Sequence, residues 1–339
     1  MKKLLLVLLA LVMTFTLASC GEDEEANTDS EKATYEWTVS SGLPVGSSWD
    51  QGLIKFDELL QEKSDGRMSL VIYSGGTLGG AKEALEGVQM GSIDMIVESS
   101  ISMSNFTDAM TVYDLPYLFP DADTARTVLA GETAQGQLDV LEEFGFKGLN
   151  YWENGMLAIG SKEPIYEPAD MAGLKIRSAD NAVAAGFFEN FDANAVVLTW
   201  GDIYTSLQNG VLDGVDSTTV PNMYSMNFYD VAPYIVETNH GYTPAPLMMN
   251  LDLWNSLSEE DQAIVMEAAN EARDYHYEVC DEILSTCEAD MEENGATIIK
   301  VDPSLFAPKV ESMYDEFVGE DGIDPELVEK LQEEAEALK

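Results

Sequence analysis

The sequence has 339 residues, 62 of them Asp or Glu and only 17 Lys or Arg, for a formal charge of −45. Such a chain is a poor partner for nucleic acid, whose binding rests on Lys and Arg displacing phosphate counterions, and for anionic lipid. Its hydrophobic fraction, 45%, is that of a globular protein. The acidity has two readings: adaptation to a saline medium, or an unusually acidic but ordinary surface. At 1 M salt the Debye length falls to about 3 Å and self-repulsion is screened. The saline reading predicts a thermal midpoint that climbs steeply with salt; a midpoint indifferent to molar salt would sink it.

Met1-Lys2-Lys3 is a short basic start, followed by an apolar run from Leu4 to Val12 that continues to Leu17. A membrane helix needs about 20 apolar residues, so the run is too short to span. It has the length of a signal-peptide core. It closes on Leu17-Ala18-Ser19-Cys20, which resembles the lipobox of bacterial lipoproteins. The expectation is a signal peptide over 1–19, lipidation at Cys20, and an extracytoplasmic protein held at the membrane. The alternative is an ordinary secretory signal with an incidental cysteine. Gly21 to Lys32 has no apolar residue larger than alanine, so 20–33 is read as an acidic tether that cannot fold.

From Thr34 onward the pattern alternates strand and helix. Tyr35 to Val39 alternates apolar and polar residues as a strand does. Ser47 or Ser48 caps a helix whose Trp49, Leu53, Phe56 and Leu60 share a face. Met68 to Tyr73 is a second strand, Ala81 to Met90 a helix, and Ile93 to Val97 a buried strand. Two helices follow the loop Asp114 to Pro120, over Thr124 to Phe144, with Lys147 to Trp152 a strand behind them.

A second set follows Pro164 and Pro168. It predicts strands at Leu174 to Arg177, Ala195 to Leu198 and Gly214 to Ser217. Helices are predicted at Asn181 to Phe191 and Trp200 to Asn209. Ala245 to Asn250 reads as a returning strand. Ser258 to Glu293 is one long helix, opened by Ser258-Glu259-Glu260-Asp261 and stopped by Asn294-Gly295. Thr297 to Val301 and acidic helices end the chain. The fold class is α/β, two lobes with a cleft between them and a long helix linking them. Lobe I takes 34–155 and 245–283; lobe II takes 156–244 and 284–339. Ligands in such sheets sit outside the carboxyl ends of the strands.

No enzyme constellation is found. The histidines are His240 and His276 alone, and there is no Gly-x-Ser-x-Gly, His-Glu-x-x-His or Cys-x-x-Cys. Ser74 to Gly80 is Gly-rich but lacks the Gly-Lys-Ser/Thr ending of a nucleotide loop. Cys280 and Cys287 lie seven apart on the long helix, about 10.5 Å along its axis. That is beyond the roughly 7 Å a disulfide tolerates between Cα atoms, so they read as buried free thiols. No cofactor and no metal site is expected.

Four arginines occur, Arg67, Arg126, Arg177 and Arg273. Three have surface-turn or helix contexts. Arg177 ends a strand at the edge where the cleft is expected, and its guanidinium can hold a carboxylate through two parallel hydrogen bonds. An inter-strand salt bridge is the competing reading.

Several segments carry a resemblance: Gly76-Thr77-Leu78-Gly79-Gly80, Gly91-Ser92-Ile93-Asp94-Met95, Asp114-Leu115-Pro116-Tyr117-Leu118-Phe119, Asp170 to Arg177, Tyr204 to Gly214, and Thr238-Asn239-His240. In this order the chain resembles the solute-binding subunit of a tripartite ATP-independent periplasmic (TRAP) transporter, the DctP type. The resemblance implies a small organic-acid ligand, two integral membrane subunits as partners, and a monomer that performs no catalysis. It makes Arg177 the carboxylate anchor, Trp200 a stacking surface, Glu98 a partner for polar ligand groups, and His240 a wall of the cleft. Ser217, Trp49 and Tyr73 complete the expected ligand-binding set.

Two departures stand out. Gly155-Met156-Leu157 replaces the family's Gly-x-Arg, and Asp213-Gly214-Val215-Asp216-Ser217 replaces Asp-Gly-x-Glu-Asn. They point to a monocarboxylate with a more apolar body. The rival readings are a binding protein for an ATP-driven importer or a sensory receptor, and a secreted enzyme.

Overall fold

The expected strand at Tyr35 becomes β1 (Tyr35–Ser41), with Trp37 and Val39 buried on one face. The structure, a computed structural model, describes residues 33–339 except Asn105 and the side chain of Ser217. The signal-peptide, lipidation and most of the tether calls, Cys20 included, lie outside the described residues.

The first set continues with α1 (Ser48–Lys63), β2 (Met68–Tyr73), α2 (Ala81–Gln89), β3 (Met95–Val97) and α3 (Ser100–Met103). After a 3₁₀ turn over Asp108–Asp114 come α4 (Ala122–Leu129), α5 (Glu132–Val140) and β4 (Phe146–Ser161). The second set is β5 (Lys175–Ser178), α6 (Ala182–Glu189), β6 (Asn194–Val197), α7 (Ile203–Gln208), β7 (Gly214–Thr219), α8 (Val220–Ser225) and β8 (Tyr234–Glu237). The chain returns through β9 (Tyr242–Asn250), α9 (Leu251–Ser256) and α10 (Glu259–Glu293). It ends with β10 (Thr297–Lys300), α11 (Pro303–Val310), α12 (Ser312–Phe317) and α13 (Pro325–Glu336).

Caps explain several boundaries. Ser47 accepts from Asp50 N before α1, and Ser258 accepts from Asp261 N before α10. Asn294 caps the end of α10, and Gly295 takes the left-handed backbone (φ +96°) that lets the chain turn away.

The strands run β2-β1-β3-β9-β4-β7-β5-β6, with β8 pairing β4 and β10 pairing β8. β1, β2 and β3 are mutually parallel, and β5 is parallel to both β6 and β7. The largest difference from expectation is β4. It does not stop at Trp152 but runs sixteen residues, to Ser161. Phe146 to Met156 pair with β9, and Leu157 to Ser161 pair with β7. One strand thus crosses between lobes. The crossing is marked by a register shift between Glu153 and Gly155, and Gly155 has φ +122°, a conformation that strains any residue with a Cβ.

Three buried clusters fill the layers. Trp37, Phe56, Leu60 and Trp152 lie under α1 and α10 in the first lobe. Ile203, Val215, Met223 and Phe228 pack with Cys287 and Met291 of α10 in the second. The third runs along the opposite face through both lobes, from Leu85 and Phe119 to Phe187 and Phe306. α10, 35 residues long, packs on α1 and β4 and also on α8 and β10, so it links the lobes. Cys280 and Cys287 are both free and buried. At the carboxyl end, β10 joins the second lobe and α12 packs on α6, whereas α13 packs on α4 and α5 of the first. None of the described helices is long and apolar enough to cross a membrane.

Candidate functional site

The carboxyl ends of β1, β3, β5 and β7, with the loops that follow β3 and β6, carry a run of polar side chains. Five of these are buried atoms without a hydrogen-bond partner among the described residues: Ser41 Oγ, Ser99 Oγ, Ser178 Oγ, Thr218 Oγ1 and Trp200 Nε1. Asp114 Oδ1, on the Asp114 to Pro120 loop, is a sixth. A buried polar atom left unpaired costs about 1–3 kcal/mol, and native structures contain few. Others lie elsewhere, Thr111 Oγ1, Asn150 Oδ1 and Trp152 Nε1 among them, but these six gather at strand ends from both lobes and make that region a candidate polar site.

Arg177 stands among them. Every other arginine has a carboxylate: Arg67 pairs with Asp261, Arg126 with Glu153 and Asp281, and Arg273 with Asp274. Arg177 is buried, and among the described residues no carboxylate lies within ion-pair distance of its side chain. Its Nε donates to Leu198 O and its Nη1 to Asp216 O, both at 3.1 Å. Trp200 lies 5.5 Å from the guanidinium carbon, its face available for cation–π attraction. Burial pulls the Arg177 pKa down to about 10, partly offset by the charge of Asp216. The two carbonyls fix the fork in position, and its charge is only partly offset, by Asp216.

Asp216, whose carbonyl accepts from Arg177, also lines a cavity of about 20 Å³, room for roughly one water. It is lined from the first lobe by Ile101, Asp114 and Pro116, and from the second by Leu157, Phe187, Asp216 and His240 among others. His240 is held on three sides. Its Nδ1 lies 2.7 Å from Thr238 Oγ1, its Nε2 lies 3.2 Å from Asp216 Oδ1, and its ring stacks on Phe187 at 4.2 Å.

Glu98 follows β3 and is buried, accepting from Ser99 N and Ser102 Oγ. Burial outweighs those two hydrogen bonds and raises its pKa from 4.5 to about 7. A carboxyl that binds its proton more tightly when folded is most favourable to folding at low pH. It therefore loses stability as pH rises from about 4.5 towards about 7. Thermal midpoints of ligand-free protein should show Glu98→Gln gaining on wild type as pH rises from 5 to 8. A constant difference across that range would refute a buried, proton-retaining Glu98.

The structure brings Arg177, Trp200 and His240 to the same region, with Leu157 in the cavity wall as its replacement of a basic anchor suggested. Tyr73 ends β2 and is 37% exposed, at the same edge of the first lobe as Glu98. Trp49 is elsewhere: it is 2% exposed within the first-lobe core, and its Nε1 donates to Glu153 O. Ser217 lies in β7. Sequence reasoning passed over Asp114, Asp216, Ser41, Ser178 and Thr218. The only available signal was position: Ser41, Ser178 and Thr218 lie at or next to strand ends, Asp216 lies within β7, and Asp114 lies in the loop before Pro116.

The chain matches the family model for bacterial extracellular solute-binding protein, family 7, over residues 39–320. It belongs to that family. The 2,3-diketo-L-gulonate-binding periplasmic protein YiaO of Escherichia coli is 31% identical over 246 residues, 72% of this chain and 75% of that protein. The C4-dicarboxylate-binding periplasmic protein DctP of Rhodobacter capsulatus is 28% identical over 264 residues, 78% of each chain. Among solved structures, a TRAP periplasmic solute-binding protein of a Polaromonas species, bound to D-erythronate, is 26% identical with a TM-score of 0.84. That match covers 88% of this chain and 98% of the other. This family 7 chain is therefore a DctP-type, two-lobe solute receptor.

Proposed function

We propose that this receptor captures a small hydroxylated organic acid outside the cytoplasm and delivers it unaltered to the two membrane subunits of a TRAP transporter. In this reading the ligand carboxylate pairs with Arg177, its body lies against Trp200, and Glu98, His240, Ser217 and Tyr73 approach its polar groups. The lobes close over it while α10 bends. The receptor acts as a monomer tethered through Cys20.

The observation that carries the reading is Arg177, the one arginine that forms no ion pair with a carboxylate among the described residues. Replacement of a basic anchor by Leu157 argues against a second carboxylate, since the same cavity wall carries the acids Asp114 and Asp216. The unpartnered hydroxyls argue for hydroxyl groups on the ligand, a more polar body than Leu157 and Ser217 alone suggested. The relatives' ligands support the class: D-erythronate, and β-D-galacturonate in a receptor of Xanthobacter autotrophicus that is 25% identical with a TM-score of 0.84.

The test is mass spectrometry of the small molecule released when purified protein is denatured, followed by calorimetry with that compound. A hydroxy acid recovered chemically unchanged after long incubation supports the proposal. A neutral or cationic ligand, or a converted one, would refute it.

A further inference from the structure

Asp114 closes the 3₁₀ turn of the first lobe, and its Oδ2 accepts from Asn181 Nδ2 of the second lobe at 2.6 Å. Asn181 has little freedom to do otherwise. As the N-cap of α6, its Oδ1 already accepts from Val183 N and Ala184 N at 2.9 and 3.1 Å, which turns its amide nitrogen outward. A second cross-lobe bond lies nearby, from Ser104 Oγ to Asp180 O at 3.2 Å. Asp114 is thus part of a seam between lobes.

Its other oxygen, Oδ1, is buried and has no partner among the described residues, and the residue lines the cavity beside Asp216 and His240. From these positions we infer that Asp114 is a specificity residue: Oδ2 joins the lobes through Asn181, and Oδ1 reads one hydroxyl of the ligand. The inference deepens the function proposed above and rests on it.

The chemistry selects a hydroxyl. Burial lifts the Asp114 pKa from 3.8 to about 8, against the lowering effect of the Asn181 hydrogen bond. The carboxyl therefore holds a proton near neutral pH. Oδ2 is occupied as an acceptor, so that proton resides on Oδ1 and points to a ligand acceptor. When ionised, Oδ1 accepts instead. A hydroxyl satisfies both forms, whereas a carboxylate suits only the first and an ammonium only the second. Asp216 in the same wall further disfavours a second ligand carboxylate. A ligand lacking that hydroxyl would leave Oδ1 unpaired in the closed site, the arrangement by which polar sites reject analogues most strongly.

Calorimetry with D-erythronate, D-galacturonate and the mono-deoxy analogues of each tests this on the full mature protein. For wild type, one deoxy analogue should bind about 10-fold or more weaker than its parent. In Asp114→Ala that one gap should close to within about twofold, because the parent loses affinity and the analogue does not. Asn181→Ala removes the cross-lobe bond together with the α6 cap but leaves Asp114 Oδ1 in place, so parent and analogue should weaken together with the gap intact. An unchanged gap in Asp114→Ala, or equal losses for parent and analogue, reduces Asp114 to a structural link and overturns the inference. Arg177→Ala separates the two levels of the argument. If it still binds the acids, the carboxylate reading has failed rather than the role of Asp114. If wild type binds none of the hydroxy acids, the hydroxylated-ligand reading has failed.

Discussion

Arg177→Ala should weaken binding of the acid ligand by about 30-fold to several-thousandfold, the equivalent of the roughly 2–5 kcal/mol lost when one partner of a buried charge pair is removed. The guanidinium is already buried and already fixed by Leu198 O and Asp216 O, so no ordering remains to be done when the carboxylate arrives. In the proposed reading the ligand carboxylate completes the partial compensation that Asp216 gives Arg177. Arg177→Lys should recover only part of the loss, because one ammonium cannot reproduce the fork that meets two carbonyls and a carboxylate at once. Calorimetry measures the affinity, and the unliganded melting temperature shows that the fold persists. Retained micromolar affinity in the alanine variant would remove the carboxylate anchor from the model.

Arg126→Ala should lower unfolding free energy by about 3–5 kcal/mol, the range for stripping one partner from a buried ion pair. Arg126 Nε donates to Glu153 Oε2 at 2.6 Å, and Nη1 and Nη2 donate to Asp281 at 3.2 and 2.8 Å. Tyr242 also donates to Glu153 Oε2, at 3.2 Å. Asp281 is mostly exposed and would simply be hydrated, but Glu153 is 8% exposed at the point where β4 passes between lobes. The cost arises there, from a carboxylate left with one phenol. Arg273→Ala is the control: its partner Asp274 is solvent-exposed, and such pairs contribute about 0–1 kcal/mol. Urea midpoints of the two variants should differ clearly. Equal midpoints would show that Glu153 finds water or another donor without penalty.

Arg126 also shows where sequence reasoning stopped. Its helix context gave no sign of its role, yet it joins Glu153 of β4 to Asp281 of α10. The sequence pattern places this strand only over Lys147 to Trp152, whereas β4 runs to Ser161. It continues as a strand because β9 and then β7 supply its hydrogen bonds, and neither strand is near it in sequence. By contrast, β2 and α10 were legible almost to the residue. Their signals are local: alternation and turn residues for β2, a cap and a Gly stop for α10. α13 is an intermediate case, recognisable as a helix but not by the lobe it packs on.

The site divides the same way. Arg177 was singled out by scarcity and by its place at a strand end, since four arginines leave few candidates. Glu98 and His240 came from the resemblance to known receptors. Asp114, Asp216 and the serines could not stand out, for each is one acid or one hydroxyl among dozens.

By itself the sequence determined the α/β class, the two-set order and the family, and it singled out Arg177 as the candidate anchor. All of these are written in short-range patterns or in rare residues. Only the tertiary structure decided which common polar groups matter. That depends on burial and on which partners are already taken, and both are set by strands and helices that meet across long stretches of chain. Three arginines form ion pairs with carboxylates that way, and among the described residues Arg177 forms none.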